Sequence, residues 1–596
     1  MKIAIKSTKI GCLALVTAIL SLPISIKHLS MTSASQKPLV DRKYDTLLSD
    51  PFLQIPTKST VNVVWFTEFA GDKHWVRYGT KLEHQVIAKT TQLSRVREDK
   101  DSQVDNPPPK SINRDIWRHE AIVTGLTPDR RLPYQVISTQ GQQTIRSDTF
   151  TLASNPTPKK PLKILLTSDH QLMPMTAANL EKVVATVDRV DGVFLPGDLV
   201  NVPDRASEWF DDRRGGSFFP SLQGRAKYKL EHDGIETIYQ GGEIIQHAPL
   251  FTAIGNHEVM GRKTEPTLKQ EFNQPVPRKV ATKFYQQVAS KVNPMANEQL
   301  KQTWIKNNSF NTDTYQEIFS LPRSEPGGKR YYATTFGDIR LISLYVTNIW
   351  RDPSLEAEDK GRYKESSDDL DNPQAYGYGQ HIFEPIKAGS QQYRWLQQEL
   401  ESKAYQQAKY KIVMLHHPPH TLGGNIVPPY TEPQPKPYYT EDGQLRSLYY
   451  EYPRQDDYII RDLIPLLESA GVQLVYYGHS HLWNRFEGAS GMHFLESSNV
   501  GNSYGAHTKN NPRPIPSYSP GNYAAVGNPN GLEPIVPNIA PLTDETGQPM
   551  PYLASNDITV FSIFNTDTGT ITSYRYDTRQ PNSDVVKFDE FKLNLF

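Results

Sequence analysis

The sequence predicts a multidomain chain in which an N-terminal β-sandwich precedes a larger α/β domain of sheets flanked by helices. Three observations predict it. The length, 596 residues, exceeds one ordinary domain. Short β-branched and aromatic runs punctuated by glycine occupy residues 45–155. From Lys163 onward, apolar runs alternate with segments of helical period, the pattern of a largely parallel or mixed sheet.

The first segment reads as an export signal. Lys2, Lys6 and Lys9 precede an apolar stretch from Ile10 to Ile24, and Thr32-Ser33-Ala34 offers small residues for cleavage. Residues 1–34 are therefore expected to be a signal peptide, with cleavage favoured over an uncleaved anchor, and the protein to be secreted or periplasmic. The stretch is short for a membrane span, and no other span is expected. Cys12, the only cysteine, lies in it, so the mature chain has neither a disulfide nor a cysteine nucleophile. Lysine plus arginine equals aspartate plus glutamate at 65 each, which leaves no basic excess for nucleic acid.

In the sandwich, Val61-Asn62-Val63-Val64-Trp65, Trp75-Val76-Arg77-Tyr78 and Tyr134-Gln135-Val136-Ile137 are strand patterns, with Gly79, Gly125 and Gly141 at turns. Asn155 to Pro161 holds three prolines and reads as a stiff linker. The α/β domain then runs over 160–596. Thr176 is expected to cap a helix whose apolar face is Leu180, Val183, Val184 and Val187. Ser390 should cap another, with Tyr393, Leu396 and Leu400 on one face. Asp457 should cap a third that Gly471 ends and that Pro465 either kinks or confines to one side. Asp557–Phe564 and Thr570–Tyr576 flank Thr568-Gly569, a hairpin signal. The insertions 202–248, 260–330, 351–390, 418–456 and 505–552 read as ordered loops and lids, with local disorder.

Five apolar runs each end in a metal-binding residue. Ile164-Leu165-Leu166 leads to Asp169, and Val193-Phe194-Leu195 leads to Gly197-Asp198. Leu250 to Ile254 leads to Gly255-Asn256-His257-Glu258. Ile412 to Leu415 leads to His416, and Val472 to Tyr477 leads to Gly478-His479-Ser480-His481. Five in order describe one sheet whose carboxyl ends converge on metal. Carboxylate, amide oxygen and imidazole suit Zn, Mn or Fe, and thiolate is absent. Asp198 is the candidate bridging carboxylate. The glycine before His479 permits a sharp exit from its strand, and an extended backbone would put His479 and His481 on one side.

This ordered set resembles the calcineurin-like metallophosphoesterase superfamily. With the N-terminal sandwich it is most similar to purple acid phosphatases and their bacterial relatives. Val76-Arg77-Tyr78-Gly79 and Gly125-Leu126-Thr127-Pro128 look like that family's fibronectin-like domain. The resemblance implies two divalent or mixed-valence ions of Fe, Zn or Mn. Asp169, Asp198 and His481 would hold one. Asp198, Asn256, His416 and His479 would hold the other. His257, with Asn256, would face the phosphate, His257 stabilising the transition state or protonating the leaving group. His416 is preferred to His417 because the family's ligand stands two residues before proline, here Pro418.

Two departures stand out. Gln171 occupies the position of the superfamily's usual histidine, and Asn201 that of the purple acid phosphatases' tyrosine. The first metal then takes an amide oxygen from Gln171 or Asn201, or water, and no tyrosinate-coloured iron site is expected. His170, His417 and His420 are read as structural, and Trp209 and Phe210 as packing within a lid rather than lining a pocket. Glu258 either orients His257 or holds its loop. The expected function is hydrolysis of phosphate esters, monoesters foremost, by attack of metal-bound hydroxide. The alternatives are a phosphodiesterase on nucleotides or lipid headgroups and a non-catalytic surface-binding protein with a weakened metal site.

Overall fold

In the computed structural model, residues 46–263, 266–349, 361–424, 428–517 and 519–594 are described. The export segment, with Cys12, lies outside them. Residues 52–152 form two antiparallel sheets. One holds Phe52–Gln54, Val61–Thr67, Trp117–Val123 and Lys89–Gln92 in that order. The other runs Gln143–Arg146, Leu132–Gln140, Lys73–Tyr78 and His84–Ile87, with Phe150–Leu152 also paired to Leu132–Gln140. All three strand patterns expected here are strands, and Gly79, Gly125 and Gly141 take positive φ. The sheets meet where Trp65 Nε1 donates to Ser138 Oγ at 3.0 Å.

Val61–Thr67 is buried at all seven positions because successive side chains point to opposite faces. Trp65 faces the second sheet. Val64 and Phe66 face the other way, into a core shared with Leu195, Trp209, Phe210, Phe218 and Phe219. The chain from Asp45 to Phe596 is one compact unit. The segment read as a linker is docked: Asn155 Nδ2 donates to Thr335 O at 3.0 Å.

The larger region is built on two mixed sheets. In the six-stranded sheet, Lys163–Leu166, Gly192–Leu195 and Leu250–Thr252 run parallel, and the hairpin Ile558–Asn565/Thr570–Asp577 and the strand Val586–Lys592 extend it antiparallel. In the seven-stranded sheet, Ile339–Ser343, Tyr410–Met414, Leu474–Tyr477 and His493–Ser497 run parallel. The sheets pack face to face through Ile164, Leu166, Phe194, Phe251, Leu341, Ile412, Leu474, Val560 and Phe564. The five motif-bearing strands are thus divided three and two between facing sheets and do not form one sheet. Parallel runs buried on both faces carry no alternation that would have told the sheets apart.

Three helices fall where expected, with different chemistry at two of them. Ser390 Oγ accepts from Tyr393 N at the start of Gln391–Glu401. Thr176 is not the cap but the first residue of Thr176–Val187, and its hydroxyl donates to His170 O. Asp457 accepts from the amides of Ile459 and Ile460. Ile459–Leu463 widens into a π-turn before Pro465, which lacks the N–H and crowds the carbonyl four residues back, and the α-helix proper is confined to the side of the proline that starts at Ile464. Gly471 ends the following helix, Ile464–Ser469, with φ 70°. The insertion 260–330, read as loop, carries four helices: Leu268–Phe272, Arg278–Val292, Glu298–Asn307 and Asp313–Ile318. The longest buries only Ala281 and Tyr285, so its apolar stripe is too thin to stand out. Among the described residues, no helix is long and apolar enough to cross a membrane.

Candidate metal centre

Each motif residue sits just past the carboxyl end of its strand, and four of the turns that carry them are left-handed. Asp169 has φ 57°, Asp198 53°, His479 83° and His481 55°. Non-glycine residues adopt this conformation at a cost, and only a surrounding structure that over-determines them holds them there. His479 and His481 are therefore not on an extended backbone; tight turns aim both rings inward. The glycines make room for the carboxylates. A Cβ on Gly255 would enter the Asp198 carboxylate, and one on Gly478 would enter that of Asp169. Gly478 thus supplies space, not a left-handed turn.

Two groups of buried donors result. The ligand atoms of Asp169, Asp198 and His481 lie within 4.8 Å of one another, as do those of His416, His417 and His479. His416 Nδ1 donates to Pro196 O at 2.9 Å, which leaves the lone pair on Nε2. That nitrogen faces Asn256 Oδ1 at 3.0 Å, His479 Nδ1 at 3.2 Å and Asp198 Oδ2 at 3.2 Å. These four atoms are all able to ligate a cation and are turned on one point, an arrangement that one cation would join. His481 is prepared likewise: Nδ1 donates to Asn502 O at 2.9 Å, and Nε2 faces Asp169 Oδ1 at 3.5 Å. These backbone carbonyls fix ring and tautomer, as the outer partners of metal-bound imidazoles do. The donor set of carboxylate, amide oxygen and imidazole fits two cations sharing Asp198.

A family model of calcineurin-like phosphoesterases matches residues 162–482, more than half of the chain and all six donors. The chain belongs to the calcineurin-like phosphoesterases. No curated protein matches it in sequence. Among solved structures it is similar to the purple acid phosphatase PPD1 from yellow lupin (Lupinus luteus) seeds, at 14% identity and a TM-score of 0.48, over 91% of this chain and 73% of that one. It is also similar to GAP50, the anchor in the inner membrane complex of Plasmodium, at 11% identity and a TM-score of 0.30, over 73% of this chain and 90% of that one.

Around this phosphoesterase centre the remaining candidates take distinct places. His257 is outside both donor groups. Its amide donates to Asp198 Oδ1 at 2.9 Å, its Nδ1 donates to Asn201 O at 2.7 Å, and its ring packs on Phe272. Glu258 holds the loops and does not orient the His257 ring. Its carboxylate accepts from the amides of Asp198, Leu199 and Gly255 at 2.7–2.8 Å. Burial and the Asp198 charge push its pKa up, against those three donors. Gln171 Nε2 donates to Asp198 Oδ2 at 3.2 Å, while its buried Oε1 has no hydrogen-bond partner. Asn201 Nδ2 is spent on the Gln171 carbonyl at 2.6 Å. Of the two amides considered from sequence, only that of Gln171 meets the donor set.

His417 stacks on His479 at 3.8 Å and hydrogen-bonds to Thr347 Oγ1, and burial pushes its pKa well down. His170 meets Thr167 Oγ1, and His420 meets Asn528 and Phe494. Trp209 and Phe210 are core residues. Two buried carboxylates went unnoticed in the sequence. Glu496 accepts from Ser480 N at 2.7 Å, between the two motif histidines. Glu208 accepts from Asn201 N at 2.7 Å, behind the carbonyl that holds His257. Neither stands in a motif; each is recognisable only by the loop folded around it.

Proposed function

We propose that this chain is an exported dinuclear-metal phosphoesterase that hydrolyses phosphate esters, monoesters foremost. The observation that carries the reading is the convergence of His416 Nε2 on Asn256, His479 and Asp198, beside the Asp169–Asp198–His481 group. When bound, two cations supply Lewis acidity toward phosphate oxygens and a nucleophilic water near neutral pH. The protein's own part is to hold and orient. Asp198 is shared by both donor groups and is fixed by the His257 amide, which bonds its Oδ1. Glu258 clamps the Asp198 and Asn256 loops together. With Nδ1–H committed to Asn201 O, His257 has only Nε2 left for substrate. A protonated Nε2 either stabilises charge on the phosphoryl oxygens or gives its proton to the leaving alkoxide. Gln171 completes the donor set of the first cation, and the N-terminal sheets form a fibronectin-like spacer packed on the catalytic core.

The test is metal analysis of the purified chain lacking residues 1–34, with assays on phosphate monoesters and diesters before and after a strong chelator. About two ions per chain and loss of hydrolysis on chelation are expected. Full activity without bound transition metal would falsify the reading. Faster cleavage of diesters would replace the monoester assignment.

A further inference from the structure

Tyr504 lies on the loop that follows the last metal motif, and its placement is built rather than incidental. Its ring stacks on the imidazole of His481, with centroids 5.0 Å apart and planes at 29°. Its hydroxyl receives a hydrogen bond from Asn502 Nδ2 at 3.3 Å. The loop beneath it is pinned twice: Asn502 O accepts from His481 Nδ1, and Ser503 N donates to Asn556 Oδ1 at 2.7 Å. Tyr504 is nonetheless 55% exposed. Tyr438 and Tyr439 are exposed as well, but on the hairpin Gln434–Tyr439/Leu445–Glu451, where Tyr438 packs on Tyr449. Tyr504 therefore offers an open aromatic face directly beside a candidate metal ligand.

A rigid aromatic with one side covered and the other accessible is a stacking platform, tolerant of any planar ring. Phosphorus must sit at the metal centre, so only the alcohol part of the ester can reach the platform. We propose that Tyr504 selects the leaving group, favouring phosphate esters whose alcohol carries a planar ring, as nucleoside phosphates do. This rests on the phosphoesterase reading. It concerns binding of the departing alcohol and leaves the bonds made and broken unchanged.

Adenosine 5′-phosphate and ribose 5-phosphate test it, because both release a ribose 5-alkoxide and differ by the base. The ratio of their kcat/KM values isolates the ring contact from leaving-group acidity. The wild type should favour the nucleotide by about 5- to 150-fold, the worth of one base–aromatic stack. Tyr504→Ala should bring the ratio close to unity, and Tyr504→Phe should keep most of it, with metal content unchanged in both. A wild-type ratio near unity, or one that survives Tyr504→Ala, overturns the proposal. Equal loss on both esters accompanied by lost metal also overturns it, and makes Tyr504 a support for His481. A wild type inactive on every ester overturns the hydrolase reading and this one with it.

Discussion

Asp198 and Gln171 are 3.2 Å apart and should behave very differently when removed. Asp198 offers one oxygen toward His416 Nε2 and belongs to the group of Asp169 and His481, so its charge would offset the repulsion between two cations held there. Gln171 contributes a neutral amide to one cation at most. Asp198→Ala should leave neither ion at full occupancy after equilibrium dialysis, whereas Gln171→Ala should weaken one ion by about 10- to 100-fold and spare the other. Equal metal loss in the two variants contradicts the bridge. The six residues proposed as donors stand out in the sequence because five apolar runs lead to them and three follow a glycine in Gly-Asp, Gly-Asn and Gly-His pairs. What orients them does not. Pro196 O and Asn502 O are backbone carbonyls that any residue could supply, and Gln171 is known as the nearby amide only because Asn201 is engaged elsewhere.

The elements around the centre show why the catalytic strands were easier to read than their surroundings. A strand buried on both faces, such as Gly192–Leu195, is apolar at every position and announces itself. Arg278–Val292 and Glu298–Asn307 are mostly exposed helices whose few buried residues set no clear period. Charge pairing was equally invisible. Arg95 and Arg97, from the loop after Lys89–Gln92, meet Asp204 and Glu271 in a buried cluster with N–O distances of 2.7–3.2 Å. It joins the N-terminal sheets to the loop that leads on from Asp198. Removing Arg97 leaves Asp204 and Glu271, both buried, to share the single charge of Arg95. Arg97→Ala should therefore cost about 3–5 kcal/mol in urea unfolding. A loss below about 1 kcal/mol would show that water or relaxation replaces the guanidinium, and that the cluster does not tie the layers together.

At the scale of the whole molecule, buried histidines are part of the response to acid. His74 and His119 stack between the two N-terminal sheets at 3.6 Å. Their hydrogen bonds leave each ring one proton. His74 Nε2–H donates to Ala70 O, so Nδ1 accepts from Ser138 Oγ. Thr67 gives its hydroxyl proton to Phe69 O, so His119 Nε2–H donates to Thr67 Oγ1, and Nδ1 accepts from Thr90 Oγ1. A second proton would oppose a hydroxyl donor and the stacked ring, with Arg118 adding to the repulsion and only Asp72 countering it. Burial, helped by His74 and Arg118, pushes His119 down to about 2, and burial also lowers His74. Burial pushes His381 and His420 down to about 4. In each case the unfolded chain takes up protons near pH 6.5 while the folded one does not. Their contribution is thus present above that pH and is lost as pH falls toward the folded values, by about 1.4 kcal/mol per pH unit for each group. Asp457, raised to about 6 by burial, acts in the opposite sense, as do the buried carboxylates of Glu208, Glu258, Glu271, Glu384 and Glu496, which burial raises as well. The part of the acid response that belongs to His119 is isolated by comparison: between about pH 7 and about pH 4.5 the thermal midpoint of His119→Gln should fall less, or rise more, than that of the wild type, whatever the variant does to stability at neutral pH. The same pH dependence in wild type and His119→Gln would contradict the neutral assignment of that ring.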